Sequence, residues 1–172
     1  MTELSVDWAR WTVILFKPDC VARGLVDPVR SWIDRELTVI NVRTVWPTEA
    51  QVFAHYDDML PRSAELGRNV PAELRRIFVG RRAAIGLACG DDAAARLRAL
   101  LGPTDPAAAG ADTIRGRFGT DSLHRAMAQG RLVDNVIHSS DTSDVVERDF
   151  RIWYGLAHAE LLHAPQPSGG TR

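Results

Sequence analysis

Apolar positions along the chain change their period several times, and each change marks an element. Trp11 to Phe16 is a short hydrophobic run containing Val13 and Ile14, and it stops at Lys17-Pro18-Asp19. Its length, β-branching and closing proline predict a strand. After Gly24, the segment LVDPVRSWIDREL places Val26, Val29, Ile33 and Leu37 at helical spacing, with Pro28 in the first turn, where a missing N–H costs little. Thr38 to Trp46 is rich in β-branched residues and predicts a second strand ending at Pro47. Strict alternation puts Val39, Asn41, Arg43 and Val45 on one side and Ile40, Val42 and Thr44 on the other. Thr48 reads as the N-cap of EAQVFAHYDDM, since its hydroxyl can accept an otherwise unpaired backbone N–H.

Residues 60–72 are broken by Pro61, Gly67 and Pro71, and PAELRRIF reads as a short helix. Arg82 to Cys89 reads as a strand. Asp91-Asp92 opens a helix over AAARLRALLG, with its acidic residues near the positive end and Gly102-Pro103 as the stop. A loop from Pro103 to Asp112 leads into TIRGRFG, and residues 120–134 are polar and partly helical. DNVIHSSD reads as a short strand or turn before a last helix, TSDVVERDFRIWYG, in which Val146, Phe150 and Trp153 share a face. The alternation predicts an α/β or α+β layer structure. The order suits a ferredoxin-like, four-stranded antiparallel sheet covered by helices, though other topologies fit the pattern. One domain is expected over residues 1–155, followed by a partly disordered tail, 156–172, ending in PQPSGGTR.

Composition narrows the function classes. The 172 residues are 45% hydrophobic, enough for one substantial core. Lys plus Arg number 21 against 22 Asp plus Glu, so no broad positive field invites nucleic acid. No apolar run is long enough for a membrane span, and the N-terminus lacks a secretory pattern; a cytoplasmic protein is expected. Cys20 and Cys89 lack any metal-ligand spacing and are expected to be reduced. Neither a P-loop nor a Rossmann glycine pattern is present, so a phosphate site would need another construction.

Candidate chemistry gathers at few places. Lys17 ends a strand beside a rigid proline, and Arg23, Arg98 and Arg115 lie on separate elements from which guanidinium groups can clamp phosphate oxygens. Of His55, His124, His138, His158 and His163, His138 stands out: it follows NVI and precedes SSD. A neutral imidazole is nucleophilic near pH 7, and Asp149, one helix later, can fold back to hydrogen-bond its second nitrogen. A structural histidine in a capped turn would leave the same local pattern. Tyr56 suits either a lid over a ligand or packing, and Trp8, Trp11, Trp32, Trp46 and Trp153 suit the core or a subunit contact. Arg75, Arg76, Arg81 and Arg82 suit a solvated face or a polyanion patch.

Taken in order, Lys17-Pro18-Asp19, Arg23-Gly24-Leu25, His55-Tyr56, Arg98 with Leu101-Gly102-Pro103-Thr104-Asp105-Pro106, Thr113-Ile114-Arg115-Gly116 and Asn135-Val136-Ile137-His138-Ser139-Ser140-Asp141 resemble nucleoside diphosphate kinases over residues 11–155. The ordered combination of KPD, TIRG and NxxHxSD is the specific part. The resemblance implies the ferredoxin-like fold and ping-pong transfer, with His138 attacking the γ-phosphorus of a nucleoside triphosphate and passing the group to a nucleoside diphosphate. It implies Mg²⁺ held through the nucleotide phosphates with no direct protein ligand, and Arg98, Thr104 and Arg115 as phosphate holders. Lys17 and Asn135 would meet the sugar hydroxyl and terminal phosphate, with Tyr56 supporting Lys17. A homo-oligomer, a dimer or a multiple of one, is also implied.

The departures are equally specific. Asp149 stands where the family usually has glutamate, one methylene longer. Cys20 and Ser139 replace glycines, which is expected to restrict the backbone beside the site. The phenylalanine-containing segment that packs on the base has no clear counterpart, and an insertion around AMAQGRLVDN precedes the histidine motif. The sequence therefore reads as a divergent member. Its alternatives are a specialised kinase for an unusual nucleotide and a catalytically weak nucleotide-binding or assembly protein.

Overall fold

The computed structural model describes residues 6–163. Strand β1 (Trp11–Phe16) is followed by α1 (Pro18–Ala22), α2 (Val26–Ile33) and β2 (Thr38–Val45). Then come α3 (Glu49–His55), α4 (Ser63–Leu66), α5 (Val70–Phe78), β3 (Ala83–Cys89) and α6 (Ala93–Leu101). The last part holds α7 (Ile114–Phe118), α8 (Leu123–Ala128), β4 (Ile137–Ser139) and α9 (Ser143–Trp153). The sheet order is β2-β3-β1-β4, with every pair antiparallel. This is the ferredoxin-like arrangement that the element order suggested.

Both faces of the sheet are covered, which explains why β1 is buried at every position, Thr12 included, rather than at alternate ones. Val13 and Leu15 point to one face and pack with Val52, Leu74, Phe78, Phe150 and Trp153 from α3, α5 and α9. Ile14 and Phe16 point to the other, against Val29, Ile33, Leu97, Leu101 and Ile114 from α2, α6 and α7. Val146, Phe150 and Trp153 share the buried face of α9 as their spacing predicts. The central β1 thus fixes the relative positions of both helical layers and carries Lys17 at its end.

Several boundaries differ from the sequence reading, each for a local reason. Lys17-Pro18-Asp19 ends the strand and also starts α1, because Pro18 fits the first helical turn. The helix that was expected to reach Leu37 stops at Ile33. There Asp34 Oδ1 accepts from Val39 N at 3.0 Å and turns the chain into β2. In β2 the alternation breaks at a bulge: Val39 pairs with Ala88 but Asn41 with Leu87, leaving Ile40 as the extra residue. Val39 therefore shares its core with Val42, while Ile40 and Val45 pack on the opposite face. Thr48 caps α3 as expected, and Gln51 returns the bond to Thr48 N at 3.1 Å. That helix ends at His55 rather than Met59.

Leu60 and Leu66, in the stretch without the expected phenylalanine, turn inward onto the core. Arg75 and Arg76 are engaged with Glu49 and Glu73. Trp11 and Trp153 are buried, Trp8 and Trp32 pack against Phe150 and Phe118, and Trp46 at the end of edge strand β2 is 63% exposed. Leu161 and Leu162, in the 3-10 helix Leu156–His163, touch the core, whereas the closing PQPSGGTR lies outside the described residues. No helix among the described residues is long and apolar enough to cross a membrane.

The inserted stretch is pinned rather than loose. Asp121 accepts both terminal guanidinium nitrogens of Arg131, at 2.6 and 2.9 Å, and the Asp134 N–H at 2.9 Å. Glu73 accepts Leu132 N at 2.9 Å, and Asp105 accepts Leu123 N at 3.1 Å. Hydrogen bonds to a charged acceptor contribute about 1.5–3 kcal/mol each. Asp121→Asn is therefore expected to speed amide exchange of Leu132 and Asp134 by about 10–100-fold, with the β1 and β3 amides unchanged. Unchanged exchange at Leu132 and Asp134 would show that the insertion is held elsewhere.

Candidate active site

The pairing of β4 with β1 sets Leu15 opposite His138 and brings the NVIH segment to the Lys17 corner. Lys17 N donates to the Val136 carbonyl at 2.9 Å, and Val136 N donates to Asp19 Oδ2 at 3.0 Å. Val136 sits at φ +71°, a left-handed conformation that a β-branched residue adopts only at a cost of about 1–3 kcal/mol. Cys20 and Ser139, where added Cβ atoms were expected to restrict the backbone, lie instead in α1 and in the β4 ladder with no positive φ. The strain is at Val136, and its two backbone bonds and buried side chain hold it there.

Around this corner the groups singled out in the sequence come together. The buried Lys17 ammonium donates to Asn135 Oδ1 at 2.9 Å and to the Val133 carbonyl at 3.4 Å, and Asn135 Nδ2 donates to the Thr104 carbonyl at 3.1 Å. These bonds tie β1, the insertion and the loop after α6 to one another. The expected support of Lys17 by Tyr56 is replaced by Asn135 and Val133; the Tyr56 ring lies 5.2 Å from the His138 ring instead. Arg115 is buried and donates to the Gly102 carbonyl at 3.0 Å and the Ile137 carbonyl at 2.8 Å, leaving its Nε without a partner. Arg98 is exposed and ion-paired with Asp141, and Thr104 is exposed. Arg23, the remaining arginine of interest, is exposed on the turn after α1.

Two glycines make this geometry accessible. Gly102 has φ +78°, and a Cβ there would strike Thr113, the side-chain cap of α7. A Cβ on Gly116 would run into the Gly110 carbonyl. The glycines of LGPTDP and TIRG are thus needed to close the loop that delivers Thr104 and Arg115.

Electrostatics follow from this crowding. His138 is half-buried, and burial pushes its pKa well below the usual imidazole value; His55, Lys17, Arg115 and Arg98 push it the same way. The ring is therefore neutral and keeps its lone pair. Burial also lowers the Lys17 pKa, although Asp19 and Asp134 oppose that shift. Burial works to raise the Asp149 pKa, yet His55, Ser140 and Arg148 outweigh it and hold the carboxyl below its usual range. Asp149 does not reach His138 directly: its bonds are from Ser140 Oγ at 2.8 Å and Arg148 at 3.3 Å, with His55 Nδ1 3.3 Å away. Being one methylene shorter than glutamate, it stops at the neighbours of the imidazole. A neutral imidazole in the field of one ammonium and two guanidinium groups is suited to an anionic electrophile such as a phosphoryl group.

A family model described as nucleoside diphosphate kinase matches residues 10–158. The chain belongs to the nucleoside diphosphate kinase family. It is 28% identical to the nucleoside diphosphate kinase of Pyrobaculum aerophilum, over 83% of this chain and 93% of that one. The Streptomyces griseus enzyme is 29% identical, over 83% and 94%. Among solved structures, the Borrelia burgdorferi nucleoside diphosphate kinase, a transition state mimic with bound vanadate and ADP, superposes with a TM-score of 0.76. It is 29% identical and covers 84% of this chain and 86% of that one. The Pyrobaculum aerophilum enzyme gives 0.68 at 28% identity, over 84% and 95%. A nucleoside diphosphate kinase relative at this distance is a phosphotransferase-type enzyme on a shared fold.

The structure gives His55 a place beside His138 that its helical spacing could not reveal. In a pH titration of ¹⁵N-labelled histidines, the His138 resonances of this family member are expected to stay at their neutral positions from pH 8 down through 6.5. A midpoint at or above 6.5 would contradict its buried, cation-flanked setting.

Proposed function

We propose that this chain moves the γ-phosphoryl group of a nucleoside triphosphate to a nucleoside diphosphate through a phosphohistidine at His138. The reading is supported by the half-buried His138 on β4, opposite Leu15 in the strand that ends at Lys17, with the Arg115 guanidinium bonded to the adjacent Ile137 carbonyl. The imidazole lone pair attacks the γ-phosphorus. The bond from phosphorus to the bridging oxygen breaks, and its electron pair leaves with the nucleoside diphosphate. The second half runs in reverse, with an acceptor diphosphate oxygen displacing His138. Arg98, Arg115 and Thr104 hold the phosphates, which requires Arg98 to turn from Asp141 toward the ligand. Lys17 and Asn135 hold the sugar and terminal phosphate region, and Tyr56 walls the imidazole.

No group of three or more His, Cys, Asp or Glu side chains able to hold a metal ion occurs among the described residues. In our reading Mg²⁺ would be carried on the nucleotide's own phosphates, where it would supply charge neutralisation. We also assign this activity to a cytoplasmic homo-oligomer, for which the exposed Trp46 beside the β2 edge is a contact candidate. A second reading, nucleotide binding with weak transfer, draws on the missing Asp149–His138 bond.

Incubation with γ-labelled ATP and Mg²⁺ separates the two. Acid-labile label on the wild type, absent from His138→Ala and discharged by nucleoside diphosphates, is the expected result. ATP binding without label would overturn the enzyme reading and favour the second. Lys17 gives an independent check, because it is the only lysine in the sequence. A bound nucleoside triphosphate is expected to slow amine-directed modification of Lys17 by about 10-fold or more, with the N-terminal amine as internal control. Equal rates with and without nucleotide would place the phosphates elsewhere.

A further inference from the structure

Between Asp149 and His138 lies a second histidine. His55 is 4% exposed, and its ring stands nearly perpendicular to that of His138, at 86° and 4.9 Å between centroids. Its Nε2 is buried without a hydrogen-bond partner. Two groups approach Nδ1: Trp153 Nε1 at 3.2 Å and Asp149 Oδ1 at 3.3 Å. One nitrogen cannot accept from the indole and donate to the carboxylate at once. If Nδ1 accepts, its lone pair faces an ionised carboxylate and the Nε2 proton has no acceptor. If Nδ1 donates, the Trp153 indole N–H loses that acceptor, but the bond to Asp149 is charge-assisted and about twice as strong as a neutral one. Nε2 then holds a buried lone pair beside the His138 ring.

We propose that His55 is the positioning residue through which Asp149 supports His138. His55 donates Nδ1–H to Asp149, and its Nε2 accepts the ring N–H of His138 that is turned away from the phosphoryl group. The ring centroids lie 4.9 Å apart without that bond in this structure, so forming it requires His138 to turn. When His138 bonds to phosphorus its ring becomes cationic. The proton stays on His138, and the chain of two hydrogen bonds faces the new charge with the Asp149 carboxylate, itself anchored by Ser140 and Arg148. The arrangement supplies through an intervening imidazole what a longer carboxylate would supply directly. It rests on His138 being the nucleophile.

The experiment is a double-mutant cycle on the full chain. His55→Phe keeps a ring and removes both nitrogens, and Asp149→Glu restores direct reach. H55F is expected to leave ATP affinity within about 3-fold and to slow phosphoenzyme formation by about 10–100-fold, the scale for loss of an outer partner of a reactive imidazole. D149E in the H55F background is expected to recover at least about 10-fold of that rate. Unchanged phosphorylation in a cooperatively melting H55F, or no recovery in the double variant, would overturn the proposal.

Histidine ¹⁵N spectra of the wild type supply a readout that needs no turnover. They are expected to show His55 protonated at Nδ1, with Nε2 in a hydrogen bond that disappears in His138→Ala. An Nε2-protonated His55 would overturn the proposal even if H55F does not fold. Failure of the wild type to take label, with the Nδ1–H tautomer present, would instead defeat the functional reading and leave the histidine pair standing.

Discussion

The backbone bond from Lys17 to Val136 and the return bond from Val136 to Asp19 join the end of β1 to the approach of β4, and the site hangs from that corner. They hold Val136 in a conformation its side chain disfavours. With that turn in place, Lys17 meets Asn135, Asn135 meets Thr104, and His138 follows in the strand opposite Leu15. The buried double-sided packing of β1 is what makes the corner rigid, because movement of this strand would disturb both cores.

Charge is organised around the same corner. Burial, reinforced by the neighbouring cations, lowers the tendency of Lys17 and His138 to carry a proton. Arg115 spends two donors on backbone carbonyls and keeps a buried Nε unpaired. Arg98 is balanced by Asp141 at the exposed rim. Buried cationic groups of this kind are unfavourable without a compensating anion, which suits the corner to the phosphate-binding role proposed for it. Asp149 lies behind this cationic front, and its shorter side chain changes which residue it addresses rather than whether it is ionised.

Local sequence made some of this legible for physical reasons. The β-branched runs, the Thr48 cap and the apolar face of α9 are short-range features, decided by sterics and hydrogen bonds within a few residues. The bulge at Ile40 was not legible, because only the partner strand β3 shows where one residue is skipped. Helix α1 was missed because proline both ends a strand and begins a helix, and the segment is too short for periodicity to separate the two. Val136 carries no sequence signal of a positive φ, since its preference is the opposite one.

The sequence by itself therefore determined the types of the longer elements, the residue identities at His138, Lys17, Asn135, Arg98, Thr104 and Arg115, and, through their order, the family to which the chain belongs. Residue identity and spacing are enough for these, because they depend on what each side chain is. Tertiary structure decided which side chains meet. It gave Lys17 to Asn135 rather than Tyr56 and Asp149 to Ser140 rather than His138, and it set His55 against His138. Those partnerships turn on differences of one methylene or one ring rotation between groups far apart in the chain. Hydrogen bonds fade steeply over such distances, so only the packed fold resolves them.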